Sequence, residues 1–451
     1  MEYSHDTISA ISTPIGVGGI SVLRVSGNKA IEVVSKIFFS KIDLKKQSSH
    51  KAIFGRIMDG EKLVDEVIVT IFKAPHSYTG EDIAEISCHG STFITNQILQ
   101  MLLRNTRLAE PGEFTQRAFL NDKIGLTQAE AIGDLLSAKT KIAHLAALKQ
   151  YEGSLRIRIE KLLTKLTDYR TQLELEIDFL EQDLDEIDNN KLIDELTALN
   201  QELIYLAKTG EEGLIIKDGL KVSLVGAPNV GKSSIFNSFL QTERAIVTPI
   251  PGTTRDYLGE VISLSGYLVR IFDTAGLRKT SDQIEMIGIK RSYEIIENSH
   301  KIIFVIDGDE NKEEYKTLSN LVDPKKIIKV LNKADKFTKN ELLKFAKKGY
   351  IICSTHQSLG LTELKNSLLH NIEISEEELH SGILTNARQI AAVNRATKSV
   401  TKALESIDNS MGYEFTAFDL KEASSALEEI IGKVTTDDIL NNIFANFCIG
   451  K

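Results

Sequence analysis

Cysteine is scarce in this 451-residue chain: Cys88, Cys353 and Cys448 stand alone, far apart in sequence. Three scattered thiols are too few for a disulfide framework or a zinc site, and they fit a reducing cytoplasm. No apolar run approaches the length needed to span a membrane. Met1 to Gly16 carries Glu2 and Asp6 and lacks the basic-then-apolar pattern of a secretion signal, so a cytoplasmic protein without membrane association is expected. An excess of positive charge is missing too. The net charge of −9 argues against a chain that coats nucleic acid non-specifically, but leaves room for a local basic surface for one RNA. Proline is limited to seven residues; those at 14, 75, 111, 228, 249 and 251 read as loop positions, and the seventh is Pro324. With 42% hydrophobic and 26% charged residues, extensive disorder is not expected, and the length suggests about three domains.

Against that background one segment carries chemistry. Residues 226–233 read Gly-Ala-Pro-Asn-Val-Gly-Lys-Ser, the phosphate-loop pattern G-x-x-x-x-G-K-[ST]. Leu220, Val222, Leu224 and Val225 form an apolar strand before it, and Ser234 to Leu240 reads as a helix after it. Such a strand–loop–helix aims backbone N–H groups and the positive helix end at a phosphate. Asn229, Val230, Gly231, Lys232, Ser233 and Ser234 are therefore nucleotide-binding candidates. Lys232 suits the β- and γ-phosphates, and the Ser233 hydroxyl suits Mg²⁺. Asp273, Thr274, Ala275 and Gly276 form a D-x-x-G turn after the strand Leu268–Phe272. Asn332-Lys333-Ala334-Asp335 follows the strand Ile327–Leu331 and matches N-K-x-D. A carboxylate at Asp335 can accept from guanine N1–H and its amino group, donors that adenine lacks there. Ser354, Thr355 and His356 close the far side of the base. Three motifs in this order and spacing predict GTP binding.

The rest of the chain divides by period. Residues 1–120 contain the strands Ile20–Val25, Glu66–Phe72 and Ala84–Cys88 among short helices. From about residue 126 to 208 the period is helical. Leu155, Ile159, Leu162, Leu166, Tyr169 and Leu173 form a seam, and Leu192, Leu196, Leu199, Leu203 and Leu206 form another. The acidic stretch beginning at Glu181 reads as a solvated helix end or loop. Helical sections Ile383–Ile407 and Leu420–Phe447 follow the nucleotide segment. The fold class expected is multidomain α/β plus all-α: an α+β N-terminal domain at 1–120 and a discontinuous helical bundle at 121–217 and 374–451. An inserted P-loop GTPase domain of Ras-like α/β type occupies 218–373.

The chain ends Asn446-Phe447-Cys448-Ile449-Gly450-Lys451. Joined to this nucleotide site, that ending resembles the MnmE (TrmE) family of tRNA-modification GTPases. Leu23-Arg24-Val25-Ser26-Gly27, Thr79-Gly80-Glu81-Asp82 with Glu85 and His89-Gly90, Pro111-Gly112-Glu113-Phe114, Arg117 to Lys123, and Gln128 to Ala131 are similar to further blocks of the family. The resemblance covers the whole chain. It implies an N-terminal domain for dimerisation and for binding 5-formyl- or 5,10-methylene-tetrahydrofolate, with Arg24, Glu85, Lys123 and Lys451 at matching positions. It also implies a homodimer, a heterotetramer with the FAD- and NADH-using partner MnmG, and tRNA as substrate. The two proteins would place an aminomethyl or carboxymethylaminomethyl group on carbon 5 of the wobble uridine, position 34. Cys448 occupies the family's C-terminal cysteine position, and a catalytic or a positioning role are both open.

A Ras-type water-orienting glutamine would sit directly after D-x-x-G, where this chain has Leu277, which cannot hold a water. Asn229 and the segment Thr248-Pro249-Ile250-Pro251-Gly252-Thr253-Thr254-Arg255-Asp256 resemble the family's potassium loop. The resemblance implies K⁺ on Asn229, Thr248, Ile250 and Thr253, Mg²⁺ on Ser233 and Thr254, and Glu285 orienting the attacking water. Thr248 to Thr254 thereby join the nucleotide-binding set. A ribosome-assembly GTPase and a GTP-controlled scaffold are the rival readings, and the terminal cysteine motif counts against both.

Overall fold

The computed structural model describes residues 6–178, 188–242, 260–273, 292–370, 372, 374–434, 436–445 and 447–451. The chain forms two units. The first comprises residues 1–133, 150–193 and 398–451, and the second residues 134–149 and 194–397.

In the first unit, period-2 patterning builds a seven-stranded sheet. Its strands are β1 (Ile8–Ile11), β2 (Gly18–Ser26), β3 (Phe38–Phe39), β4 (Lys51–Asp59), β5 (Lys62–Phe72), β6 (Ile83–Gly90) and β7 (Arg107–Leu108), in the order β3-β4-β5-β6-β2-β1-β7. All pairings are antiparallel except β1 with β7. On β5, Val67, Val69 and Ile71 are buried while Glu66 and Ile68 are exposed, so one face of the sheet is core. Helices α1 (Ala30–Ser35) and α2 (Thr92–Leu102) cover it with Val33, Val34, Ile98, Met101 and Leu102.

The helices are α3 (Glu113–Leu120), α4 (Leu126–Ser137), α5 (Lys141–Tyr151), α6 (Ser154–Asp178) and α7 (Asn189–Asp218). The seam residues Leu155, Ile159, Leu162, Leu166 and Leu173 are buried, and so are Leu192, Leu196, Leu199, Leu203 and Leu206. The acidic stretch from Glu181 lies outside the described residues.

The second unit holds a six-stranded sheet and the helix α8 (Lys232–Thr242). Its strands are β8 (Leu220–Val225), β9 (Glu260–Leu264), β10 (Tyr267–Asp273), β11 (Lys301–Ile306), β12 (Ile327–Leu331) and β13 (Ile351–Ile352), in the order β13-β12-β11-β8-β10-β9. All pairs are parallel except β9 with β10. β8 and β11 are almost wholly buried runs, as a sheet covered on both faces requires. Chain order leaves β8 for β10 on one side and then crosses to β11 on the other, which opens a crevice at the carboxyl end of β8. The remaining helices are α9 (Lys312–Leu321), α10 (Lys339–Lys347), α11 (Leu361–Leu369), α12 (Glu376–Ser381), α13 (Ala387–Asp408), α14 (Tyr413–Ile431) and α15 (Asp437–Phe444).

Back in the first unit, α14 packs along α6, bringing together helical sections from either side of the nucleotide segment. One expected helical section is divided. Leu420–Phe447 splits because Gly432 caps α14 at φ 83°, where a Cβ would press on Leu126 and the Phe119 ring. After α15 the chain leaves the helix altogether, and Ile449 bridges to Pro111 beside the N-terminal sheet.

A buried ionic clamp fixes β1, the 79–82 loop and α3 to one another. Arg117, 4% exposed, donates to Asp6 Oδ1 at 2.6 Å, Glu113 Oε1 at 2.9 Å and Glu81 Oε1 at 3.2 Å. Arg107 reaches the same Glu113 carboxylate at 2.6 Å. Burial alone would raise the Glu113 carboxyl, but Arg107, the Glu110 amide and Arg117 outweigh it and hold the group below its ordinary 4.5. A lowered folded-state value means that the clamp contributes fully above about pH 4.5 and loses its contribution as pH falls through the lower folded value. Removing one partner of a buried ion cluster costs about 3–5 kcal/mol. Arg117→Ala is expected to reduce hydrogen-exchange protection of β1 and α3 amides by about 10²–10³-fold while α8 and β12 keep theirs. Unchanged protection in β1 and α3 would show that packing alone holds them.

Candidate functional site

The nucleotide motifs converge at the carboxyl ends of the parallel strands. The loop after β8 rises to Gly226, at φ 149°, where a Cβ would collide with the Val305 carbonyl oxygen of β11. At Gly231, φ 96°, a Cβ would press equally closely on the Asn332 amide nitrogen. Both positions therefore demand glycine. Lys232 and Ser233 open α8, placing the helix N-terminus against the loop. Lys232 Nζ donates to the carbonyls of Gly226 at 2.7 Å and Ala227 at 3.1 Å.

At the end of β12, Asn332 is 1% exposed and its Nδ2 donates to the Val230 carbonyl at 3.0 Å, tying the base motif to the phosphate loop. Its Oδ1 is buried with no hydrogen-bond partner among the described residues, an acceptor left unsatisfied at the end of β12. Lys333 takes a left-handed conformation at φ 58°. Its Nζ bridges the Asn229 carbonyl at 2.6 Å and Asp307 Oδ2 at 2.7 Å. Asp307 follows β11, and no motif pointed to it. Ser354 Oγ donates to Asp335 Oδ1 at 2.6 Å; with the Asp335 backbone amide and nearby His356 it holds that carboxyl below the ordinary carboxylate range. An ionised, exposed Asp335 with its neighbour Ser354 fits a guanine edge better than an adenine one. Asn229 stands exposed on the loop crest at φ 65°, a conformation asparagine tolerates.

Asp273 ends β10. Thr248, Pro249, Ile250, Pro251, Gly252, Thr253, Thr254, Thr274, Ala275, Gly276 and Glu285 lie outside the described residues. Among the described residues no cluster of three His, Cys, Asp or Glu side chains is arranged to hold a metal.

The second constellation lies on the N-terminal sheet. Arg24 and Glu85 sit directly opposite on β2 and β6, with Arg24 donating to Glu85 Oε1 at 2.8 and 2.9 Å. The Arg24 guanidinium lies over the rings of Tyr78 at 5.2 Å and Phe114 at 5.5 Å. The Tyr78 hydroxyl shares a hydrogen bond with Thr115 at 2.8 Å. Tyr78 and Lys123 also line an open hollow of about 480 Å³ with His50, Phe72, His76 and Ser77. Lys123 Nζ donates to the Pro75 carbonyl at 2.9 Å.

The chain's last residues close on this neighbourhood. Phe114 N donates to the Lys451 carbonyl at 3.2 Å, and Gly112 N to the Cys448 carbonyl at 3.4 Å. Arg24, Glu85 and Lys123 are thus grouped around Tyr78, and Lys451 joins through Phe114. Burial raises the Cys88 thiol to about 11 and the Cys353 thiol to about 12, making both inert, whereas Cys448 is exposed. Sequence reasoning missed Tyr78 and Phe114 as the floor beneath Arg24. Both stand in or beside the recognised blocks, Tyr78 directly before Thr79-Gly80-Glu81-Asp82.

Comparison with known proteins covers both constellations. The family description "GTP-binding protein TrmE N-terminus" matches residues 7–123, and "MnmE helical domain" matches residues 126–448. The tRNA modification GTPase MnmE of Flavobacterium psychrophilum is 41% identical over 459 residues, covering 99% of each chain. That of Clostridioides difficile is 41% identical over 459 residues, covering 100% of each. With full-length likeness added to both sites, the chain belongs to the MnmE family of tRNA modification GTPases.

Proposed function

We propose that this protein is a potassium-activated GTPase of tRNA modification that hydrolyses GTP to GDP and phosphate. With the FAD- and NADH-dependent partner MnmG it installs aminomethyl or carboxymethylaminomethyl groups at C5 of the wobble uridine, position 34. The protein works in the cytoplasm as a homodimer, within a heterotetramer with MnmG. The observation that carries the reading is the joining of two constellations in one chain: a phosphate loop tied through Asn332 to the N-K-x-D segment, and a C-terminal Cys448–Lys451 segment bonded to Gly112 and to Phe114, whose ring lies under Arg24.

In the nucleotide site, loop amides and the α8 N-terminus hold phosphate, Lys232 turns from the Gly226 carbonyl to the phosphates, and Asp335 reads the base. Ser233 and Thr254 would hold Mg²⁺. K⁺ would be held by Asn229, Thr248, Ile250 and Thr253, and would supply positive charge where charge develops on the β–γ bridge. Glu285 orients the attacking water, the task Leu277 cannot perform.

At the N-terminal site, Arg24, Glu85, Lys123 and Lys451 would hold the tetrahydrofolate, which supplies a one-carbon unit. The half-buried Arg24–Glu85 pair on an aromatic floor, next to an open hollow, fits a flat heterocycle with an anionic tail. Cys448 is the one exposed thiol of the three, and its backbone carbonyl accepts from Gly112 N, two residues before Phe114. The position of Cys448 is equally compatible with chemistry and with positioning.

Three outcomes test this. Asp335→Asn is expected to weaken GTP binding roughly ten- to hundredfold, the loss of one charge-assisted hydrogen-bond pair, and to shift preference toward xanthosine triphosphate. An unchanged preference in equilibrium nucleotide titrations would put the base elsewhere.

Turnover is expected to be high in K⁺ and low in Na⁺. Asn229→Gly, which keeps the φ 65° backbone and removes the side chain, should lower the K⁺ rate by about 10²–10³-fold with nucleotide affinity nearly unchanged. Equal turnover in the two salts removes the potassium mechanism.

Deleting residues 448–451 is expected to leave GTP hydrolysis intact and abolish wobble-uridine modification, read by nucleoside mass spectrometry in a deletion strain. Restored modification by the truncated protein would make the tail structural and the role given to Lys451 wrong.

A further inference from the structure

The charge of this chain is unevenly distributed. Its net charge is −9, yet residues 325–348 carry nine lysines against two acids, Asp335 and Glu341. Both acids are already committed. Asp335 is bonded by Ser354 in the base site. Glu341 Oε2 accepts from Thr338 N at 2.8 Å and Thr338 Oγ1 at 2.7 Å, closing the capping box that starts α10. Four of the lysines are engaged as well: Lys333 in the nucleotide site, Lys348 on Glu310 at 2.7 Å, Lys329 over the Tyr315 ring at 4.5 Å, and Lys326 on the Ser299 carbonyl at 3.4 Å. Lys325, Lys336, Lys339, Lys344 and Lys347 are exposed and carry no described ion-pair partner.

Their support is rigid. Leu342 and Phe345 of α10 pack into the cluster that contains Phe304 and Tyr350, with the Phe345 ring 5.6 Å from Tyr350 and 6.1 Å from Phe337. At about 100° per residue, Leu342 and Phe345 define one side of α10, Lys344 and Lys347 project from the opposite side, and Lys339 projects from the edge between them. From Lys339 to Lys347 the helix runs about 12 Å. A nucleic-acid strand carries about three or four phosphates over that length.

We infer that the solvent face of α10, which carries Lys339, Lys344 and Lys347, is a docking surface for the phosphate backbone of the tRNA substrate. The inference rests on the tRNA reading under Proposed function, and adds where on the nucleotide domain the RNA is held. Lysines without bidentate geometry suit phosphate as point charges, so the surface supplies affinity and orientation and no base specificity. An RNA held there sits on the domain that binds GTP.

The test measures binding of fluorescently labelled tRNA to the full-length protein by anisotropy across a salt series. The triple variant K339Q/K344Q/K347Q is compared with wild type and with K41Q/K45Q/K46Q, which removes the same charge from exposed lysines of the N-terminal unit. The α10 triple is expected to weaken tRNA binding at least tenfold at about 0.1 M salt and to lower the salt slope by about two to three. GTP affinity and basal hydrolysis should stay at wild-type levels, which also reports that the domain is folded. The control triple should bind tRNA as wild type does. Unchanged affinity and slope in the α10 triple overturn the inference, and so do equal losses in the two triples. Sedimentation with phosphatidylglycerol vesicles forms a further arm: vesicle binding lost in the α10 triple with tRNA binding kept would assign the surface to lipid and overturn the inference. Failure of the wild-type protein to bind tRNA at any salt would instead remove the tRNA reading itself.

Discussion

The return of the chain's end to its beginning is the constraint on which the first unit turns. Pro111 bridges to Ile449, Gly112 N meets the Cys448 carbonyl and Phe114 N meets the Lys451 carbonyl. Gly450 makes the approach possible: at φ 95° it lies so close to Ile11 that a Cβ would strike the Ile11 carbonyl oxygen. Backbone bonds of this kind contribute only about 0.5–1.5 kcal/mol each, and their value here is positional. The larger stabilisation comes from the residues just before, where Phe444, 2% exposed, and Leu440 pack on Leu126 and Ala129. Burying such a side chain is worth roughly 1.5–3 kcal/mol. With α15 anchored by its apolar face, the four-residue tail needs only short backbone bonds to Gly112 and Phe114 to be held against the start of α3.

Anchoring both ends of the chain in one unit also explains why the nucleotide domain is an insertion. Residues 1–133 and 398–451 belong together, and α14 lies along α6. The GTP-binding segment therefore lies in chain order between two stretches of that unit, and the boundaries at 193/194 and 397/398 fall within α7 and α13.

The sequence carried a great deal of this, and for identifiable physical reasons. The phosphate loop was readable because its defining residues are constrained: Gly226 and Gly231 by backbone collisions, and Lys232 by the charge that phosphate chemistry asks for at that position. The strands before each nucleotide motif were readable because buried parallel strands are continuous apolar runs, and Ile327–Leu331 has the bounds expected from sequence. The seams of α6 and α7 followed from helical spacing. Contacts between distant residues were not readable. Arg24 and Glu85 are 61 residues apart, and only the β2–β6 register sets them opposite. Asp307 is one acid among several until the end of β11 brings it to Lys333. The break at Gly432 was hidden because the flanking helices keep the same apolar period.

Lys333 joins parts of the nucleotide site that the motifs present as separate. Its Nζ holds the carbonyl of Asn229 in the phosphate loop and the carboxylate of Asp307 after β11, while its neighbour Asn332 holds the Val230 carbonyl one residue further along the same loop. The base-reading segment therefore grips the loop at two consecutive residues, one of which is the proposed cation ligand. A base that fits Asp335 stabilises this segment, and the segment in turn fixes the Asn229 backbone at φ 65°. Fixing that backbone limits where the Asn229 side chain can reach, so the proposed guanine site and the proposed cation site share one bonded element. Two bonds to adjacent carbonyls resist rotation of the loop in a way that one would not. Preorganisation of this kind lets charge stabilisation act in the transition state without a further cost of ordering the loop.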